Sequence, residues 1–288
     1  MLPDFKAGIQ PMPFFLDGSG GQLIFDDNLT DGGLSLSLQT PTFMGIDIRG
    51  IAAQFINEDA KTGINGGTGV AATSAATNDS WDLLYSGTQH PKFEGSQVVL
   101  DWTDPAHMMG LSVGAAYYDW FDVKGTSIAS QGGSATYINN VNALGFEAND
   151  FAVDDYLAVF NEQFGGLPFK AYYEYEANTV AVRNNTGYIG GAEISTGDLV
   201  PWNTNEITVG YNYRRAETDS TLSIWDFSDF DGGGTDAMGG EFYAKLMLAD
   251  NLWVSTQDFY DEGNIQAESV GGHYSQFQRT QVDLNAKF

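Results

Sequence analysis

Apolar side chains recur at every second position along most of this chain, and the last stretch shows it best. Val282, Leu284, Ala286 and Phe288 alternate with Gln281, Asp283, Asn285 and Lys287. Side chains of a strand have a period of two, so such a segment has one apolar face and one polar face. Leu34, Leu36 and Leu38 alternate in the same way, as do Met44, Ile46 and Ile48 after a turn at Pro41. Val98–Leu100–Trp102, Met109 to Tyr117, Ala152 to Gln163, Leu167 to Tyr175, Gly187 to Ser195, Ile207 to Tyr213, Gly240 to Leu248 and Leu252–Val254 continue it. Between them, tight turns alternate with long polar segments, among them Asn57 to Pro91 and Asp122 to Asp150. The pattern predicts an all-β, antiparallel up-and-down architecture of about 12 strands, starting with Asp4 to Gln10 and forming one domain over 1–288.

Closing such strands into a transmembrane β-barrel would pair every backbone group, the condition for crossing lipid without helices. A tilted strand spans a membrane with about 9–11 residues. Counted back from the last strand, every tight turn falls on one side, the periplasmic side of an outer-membrane barrel, and every long segment on the other. This requires Asn203 to Phe227 to be one tall strand with a bulge near Glu217–Asp219. Trp102, Trp202 and Phe288 then lie near periplasmic turns, and Tyr117, Trp120, Tyr175 and Trp225 near external loops, as two aromatic girdles. A soluble β-sandwich or solenoid is the alternative for the same alternation.

The net charge of −26, from 38 acidic and 12 basic residues, disfavours nucleic-acid binding and a basic membrane-surface mode. Cysteine is absent, which removes disulfides, thiolate metal sites and a Cys nucleophile. No apolar run is long enough for a transmembrane helix.

A strand ending on a terminal aromatic looks like the closing strand of an outer-membrane barrel, in which Val282, Leu284 and Phe288 would belong to the insertion signal. Gly210-Tyr211-Asn212-Tyr213-Arg214, the run Asp226-Phe227-Ser228-Asp229-Phe230-Asp231-Gly232-Gly233-Gly234-Thr235-Asp236, Gly165-Gly166-Leu167-Pro168, the segment Phe25 to Leu34 and the terminal Val282 to Phe288 closely resemble the "putative porin" family of Gram-negative outer membranes. Within the Asp/Gly loop, Phe227 separates the first Asp from Ser, and Asp231 replaces a Gly. The resemblance implies an outer-membrane channel. Relatives carry further strands and a signal peptide ahead of the Phe25 segment, so the N-terminal part is expected to be missing, as from a truncated barrel of roughly 16 strands. Expected partners are outer-membrane lipid and lipopolysaccharide, the barrel-insertion machinery and small polar solutes. Porins of this type often pack as trimers, which leaves a homotrimer open.

Strand parity points Lys6, Asp47, Arg49, Asp101, Lys170, Glu174, Glu176, Glu206, Arg214, Glu241, Lys245, Asp283 and Lys287 into the lumen as pore lining, with acids and bases nearly balanced. The acidic excess then belongs to external loops: Asp26, Asp27, Asp31, Asp229, Asp231, Asp236, Asp261, Glu262 and Glu268. A carboxylate ring at a pore mouth concentrates cations over about 8 Å at physiological salt; solvated loop charge is the plainer reading. Asp229, Asp231 and Asp236 around a Gly turn could wrap Ca²⁺, although the loop lacks the closing Glu of an EF-hand. No other cofactor is expected. His90, His107 and His273 lie in separate connections, and only His273, beside Ser275 and near Glu268, approaches a hydrolytic set. Asn184-Asn185-Thr186 fits the glycosylation triplet by chance. The chain therefore reads as a non-enzymatic porin passing small polar solutes with mild cation preference. The alternative is a structural or adhesive barrel with a plugged lumen, the plug drawn from 57–91 or 122–150.

Overall fold

The computed structural model describes residues 2–14, 23–25, 30–56, 92–104, 106, 108–121, 150–196, 206–222, 234–249, 251–263, 265 and 275–286. Alternation builds twelve strands: β1 (Leu2–Pro11), β2 (Thr30–Gln39), β3 (Ile46–Ile56), β4 (Lys92–Asp104), β5 (Met109–Phe121) and β6 (Phe151–Phe164), then β7 (Leu167–Asn178), β8 (Thr186–Ser195), β9 (Ile207–Ala216), β10 (Ala237–Ala249), β11 (Leu252–Gly263) and β12 (Ser275–Ala286). They form one sheet in chain order, each strand antiparallel to its sequence neighbours. β1 and β12 are its two margins.

Turn chemistry fixes the register. At Gly165–Gly166 both residues have positive φ (60° and 88°), the two-residue hairpin geometry whose twist matches that of the flanking strands, and Phe164 pairs with Leu167. Met44 and Gly45 do the same between β2 and β3, closed by mutual hydrogen bonds between Phe43 and Ile46. Met44 therefore belongs to the turn and not to the following strand, because its φ of 52° suits a turn and not a strand.

The tall strand expected over Asn203 to Phe227 is shorter. β9 stops at Ala216, and Thr218–Ser220 turn. The side chain of Glu217 accepts hydrogen bonds from the amide and hydroxyl of Thr186 (3.0 and 2.8 Å), and the Asp219 amide donates to the Asn184 carbonyl. Those bonds turn the backbone off the ladder, while Thr218 to Leu222 become buried.

Asn178, fully buried, knits this end together. Its side-chain oxygen accepts from the amides of Ala152 and Val180, and its side-chain nitrogen donates to the carbonyls of Asp150 and Asp219. It thus ties the start of β6, the β7–β8 connection and the β9–β10 connection. Asn178→Ala strands several buried backbone groups, and each unsatisfied group costs about 1–3 kcal/mol. The expected result is a heat-modification midpoint lowered by several degrees on gel mobility; an unchanged midpoint would show these bonds to be dispensable.

The two faces of the sheet differ. One carries exposed apolar side chains, including Phe5, Ile48, Val98, Val113, Tyr173, Tyr211, Phe242, Val282 and Leu284. Few soluble proteins present so extended an apolar surface. The other face holds nearly all the buried residues and is enclosed over β3 to β9, while Asp4 and Lys6 on the β1 margin stay exposed.

Candidate site: the enclosed face

On β3 to β6 the enclosed face changes character along each strand. Near the short turns it is polar: Asp47 and Arg49 on β3, Asp101 on β4, Ser112 on β5 and Asn161 on β6. Arg49 donates from Nε and Nη2 to the two carboxylate oxygens of Asp101 (2.7 and 3.1 Å), and the Ser112 hydroxyl donates to the same carboxylate (2.6 Å). Two-pronged Arg–carboxylate geometry of this kind is specific as well as strong.

Near the long connections the same face is aromatic. Phe55, Phe93, Tyr118, Trp120 and Phe151 are buried together with Val153. Met12, Phe14, Ile24 and Phe25 of the β1–β2 connection and Leu222 of the β9–β10 connection fill the space against them. Phe14 meets Tyr118 edge-on at 5.1 Å between ring centroids, and Phe25 meets both Tyr118 (5.1 Å) and Phe93 (5.7 Å) in the same way. Edge-to-face contacts suit the ring quadrupole and add about 0.5–1.5 kcal/mol per pair beyond burial. Gly95 makes the seat: a Cβ there would lie 2.7 Å from the tip of Phe14 and 2.9 Å from Tyr118. The neighbouring Leu23 packs against a second cluster, Val159, Tyr172, Ile189 and Ala216. The β1–β2 connection thus reaches the walls of both β3–β6 and β6–β9.

Trp120, expected in an outer girdle, lies instead in this interior cluster. Its position on β5 alternates with the outward Tyr117, so the pleat turns the indole inward. Tyr117, Tyr175 and Trp102 occupy outer-face ladder positions; Trp202, Trp225 and Phe288 lie outside the described residues.

Ladder parity puts Asp47, Arg49, Asp101, Lys170, Glu174, Glu176, Arg214, Glu241, Lys245 and Asp283 on the enclosed face, as well as Lys6. Glu206 stands just before β9 and accepts from the Ser195 hydroxyl (2.8 Å). These side chains do not form a single site. Lys170 pairs with Glu193 (2.8 Å), which also accepts from the Tyr243 hydroxyl (2.8 Å). Glu241 accepts from Asn212 (2.7 Å) and Gln257 (3.0 Å). Lys245 stands over the Trp253 ring at 5.2 Å, and Asp283 accepts from Gln281 (2.8 Å). Glu174, Glu176 and Arg214 are buried almost completely beneath the inward-folded connections.

Among the described side chains, sequence reasoning missed four carboxylates on this face: Asp4, Asp155, Glu193 and Asp261. The enclosed face is consequently acidic and not balanced, even with Arg279 added to its cations. Asp261 and Glu262, expected in an external loop, lie within β11, which extends to Gly263; Asp261 points inward and is buried. Asp155 sits beside Glu176 across the β6–β7 ladder, and one of its oxygens has no hydrogen-bond partner among the described residues. Gln97 is equally buried, with both amide atoms in that condition.

Several expectations fall outside the described residues: Asp26, Asp27, Asp229, Asp231, Glu268, Lys287, the three histidines, and the segments 57–91 and 122–149. Asp31 stands in β2, and Asp236 precedes β10 with a φ of 64°. Among the described residues no group of three acidic or histidine side chains could hold a metal ion. Val282 and Leu284 project from the outer face, 68% and 70% exposed.

Residues 134–288 match the model of the "putative porin" family. No curated protein matches the chain. Among solved structures, the FpvAI–pyocin S2 complex contains a chain that resembles 90% of this one at 12% identity, with a TM-score of 0.33. This chain spans only 38% of that one's length, and the likeness is too slight to bear on fold or function.

Proposed function

The chain belongs to the "putative porin" family, and from that premise we propose that it is a non-enzymatic outer-membrane porin passing small polar solutes and ions, with a mild preference for cations. The observation that carries the reading is the division of one twelve-stranded sheet into an exposed apolar face and an enclosed, acidic one. The apolar face suits lipid, and alternation delivers water-compatible side chains to the other face without any helix. Paired groups such as Arg49–Asp101 and Lys170–Glu193 give the path a fixed polar lining. The surplus of carboxylates gives it its sign, since rings of acidic side chains favour cations. Selection then comes from field and diameter.

A second reading has its own observation. The aromatic cluster and the β1–β2 connection occupy the enclosed face near the long connections, which favours a plugged barrel serving a structural or adhesive role. Purified, heat-modifiable protein in a planar bilayer separates the two. Stepwise ion current is the expected result, with a reversal potential in a potassium chloride gradient on the cation-selective side. No current under any voltage would sink the porin reading, and a reversal potential of the opposite sign would sink the cation preference alone.

A further inference from the structure

Three consecutive cross-strand rows on the inward face of β7 to β12 are each balanced in charge among the described residues. Lys170 and Glu193 share the middle row, which continues through Gly210, Tyr243, Gln257 and Gln281. The row on its long-connection side holds Glu241 and Arg279, and the row on its short-turn side holds Lys245 and Asp283. The acidic surplus of the inward face therefore lies in other rows. At the centre of this stretch stands the half-buried ring of Tyr243. It lies flat on the wall because its seat has no side chain: a Cβ at Gly210 would collide with the ring. The Tyr243 hydroxyl donates to Glu193 (2.8 Å), which also takes the ammonium of Lys170 (2.8 Å). Tyr172 lies over Gly191 in the same manner, and its hydroxyl reaches Tyr243 and Asn212. Gln257, directly paired with Tyr243, donates from its amide nitrogen to Glu241 (3.0 Å) and keeps its carbonyl oxygen and a second N–H for a ligand.

We propose that this wall binds a neutral sugar, with one hexose ring stacked on the lumen-side face of Tyr243 and hydroxyls hydrogen-bonded to Glu193 and Gln257. This rests on the porin reading, which makes the inward face the solute path. The C–H face of a hexose carries slight positive charge and suits the negative face of an aromatic ring. Sugar hydroxyls both donate and accept; a carboxylate accepts from several donors at once, and a carboxamide does both. Tyr243 and Glu193 are held by each other before any solute arrives, so little ordering is left to oppose binding. From Glu193 to Gln257 the row crosses three strand spacings, about 14 Å, a span that suits two linked hexose rings. Charged solutes gain less here. The cation and carboxylate of each row cancel, and a lone ammonium or carboxylate would have to break the Lys170–Glu193 pair to find a counter-charge.

The test is isothermal titration calorimetry of the chain, purified in a detergent without a sugar headgroup, with the neutral disaccharides maltose, lactose and sucrose. Maltobionate serves as the anionic comparison and spermidine as the cationic one. At least one neutral disaccharide is expected to bind, about tenfold more tightly than either charged probe. Tyr243→Ala is expected to weaken that binding about tenfold, and Tyr243→Phe, which keeps the ring, only about twofold, both on protein that still shows heat modification. No binding of any of the three sugars, equal or tighter binding of maltobionate or spermidine, or binding unchanged in Tyr243→Ala would overturn the proposal. Planar-bilayer current from the same preparation keeps the two readings apart: current without sugar binding sinks the sugar site alone, and sugar binding without current sinks the porin reading alone.

Discussion

Phe14→Ala/Phe25→Ala is expected to raise the ion current on the order of twofold or more, because on the porin reading the two rings narrow the cross-section open to solutes and pore diameter governs passage. Both rings come from the β1–β2 connection, and both rest edge-on against Tyr118 of the wall. Removing them leaves the wall strands untouched. Phe→Ala in a packed cluster costs about 3–5 kcal/mol per site, so the inward-folded connection loses the larger share of what holds it in place. Gly95→Val attacks the same contact from the other side. Its added Cβ would crowd Phe14 at 2.7 Å and Tyr118 at 2.9 Å, so either Phe14 leaves its seat or the strand shifts. The expected order of single-channel current is wild type below Gly95→Val below the double alanine variant, measured in planar bilayers on protein that still shows heat modification. Equal currents in all three would mean that solutes bypass the aromatic cluster, and the connection would then be packing alone.

The strands were legible because a two-residue period is a local property that neither length nor environment disguises. Gly165–Gly166 and the terminal alternation each place a strand end without tertiary knowledge. The same locality explains the errors. Alternation reports that two faces differ, and the assignment of the apolar set to the outside assumes a water-filled interior. That assumption holds for Asp47, Arg49 and Asp101 near the short turns. It reverses at the other ends of β3 to β6, where Phe55, Phe93, Tyr118, Trp120 and Phe151 face inward and Gln54, Glu94, Asp119 and Asp154 face outward. The inversion is caused by residues remote in sequence. Met12 to Phe14 and Leu23 to Phe25 have no strand period, and nothing local shows that they fold inward to bury those rings. Asp155 was lost for the same reason, since Val153, Asp154 and Asp155 break the alternation at the point where the filling changes. The end of β9 was misread because Glu217 binds Thr186, a partner 31 residues away.

Neutralising the buried acids as Asp155→Asn/Glu174→Gln/Glu176→Gln is expected to lower the cation-to-anion permeability ratio about tenfold, the equivalent of roughly 1.4 kcal/mol. Asp155 and Glu176 are direct cross-strand partners, and Glu174 follows two residues before Glu176 on the same face. Side chains so paired are about 4.5–5.5 Å apart at Cβ, and like charges at that spacing repel by about 3 kcal/mol at an effective dielectric constant of 20. Arg214 occupies the row of Glu174, with Ile189 between them. By ladder position, acids outnumber bases on this part of the wall. Amides keep the shape and the hydrogen-bonding capacity while removing that charge, but they leave the buried Arg214 without these acids to offset it, so the triple variant is expected to be less stable than the parent and is measured where it still shows heat modification. Its reversal potential in a salt gradient moves toward zero. These groups are covered by the inward-folded connection, so the effect grows when the Phe14→Ala/Phe25→Ala changes are added and solutes reach the wall. An unchanged reversal potential in both backgrounds would place the selecting charges elsewhere, on Glu193 and Glu241 nearer the open path. A larger shift in the opened background than in the parent is the outcome that ties selectivity and occlusion to the same stretch of wall.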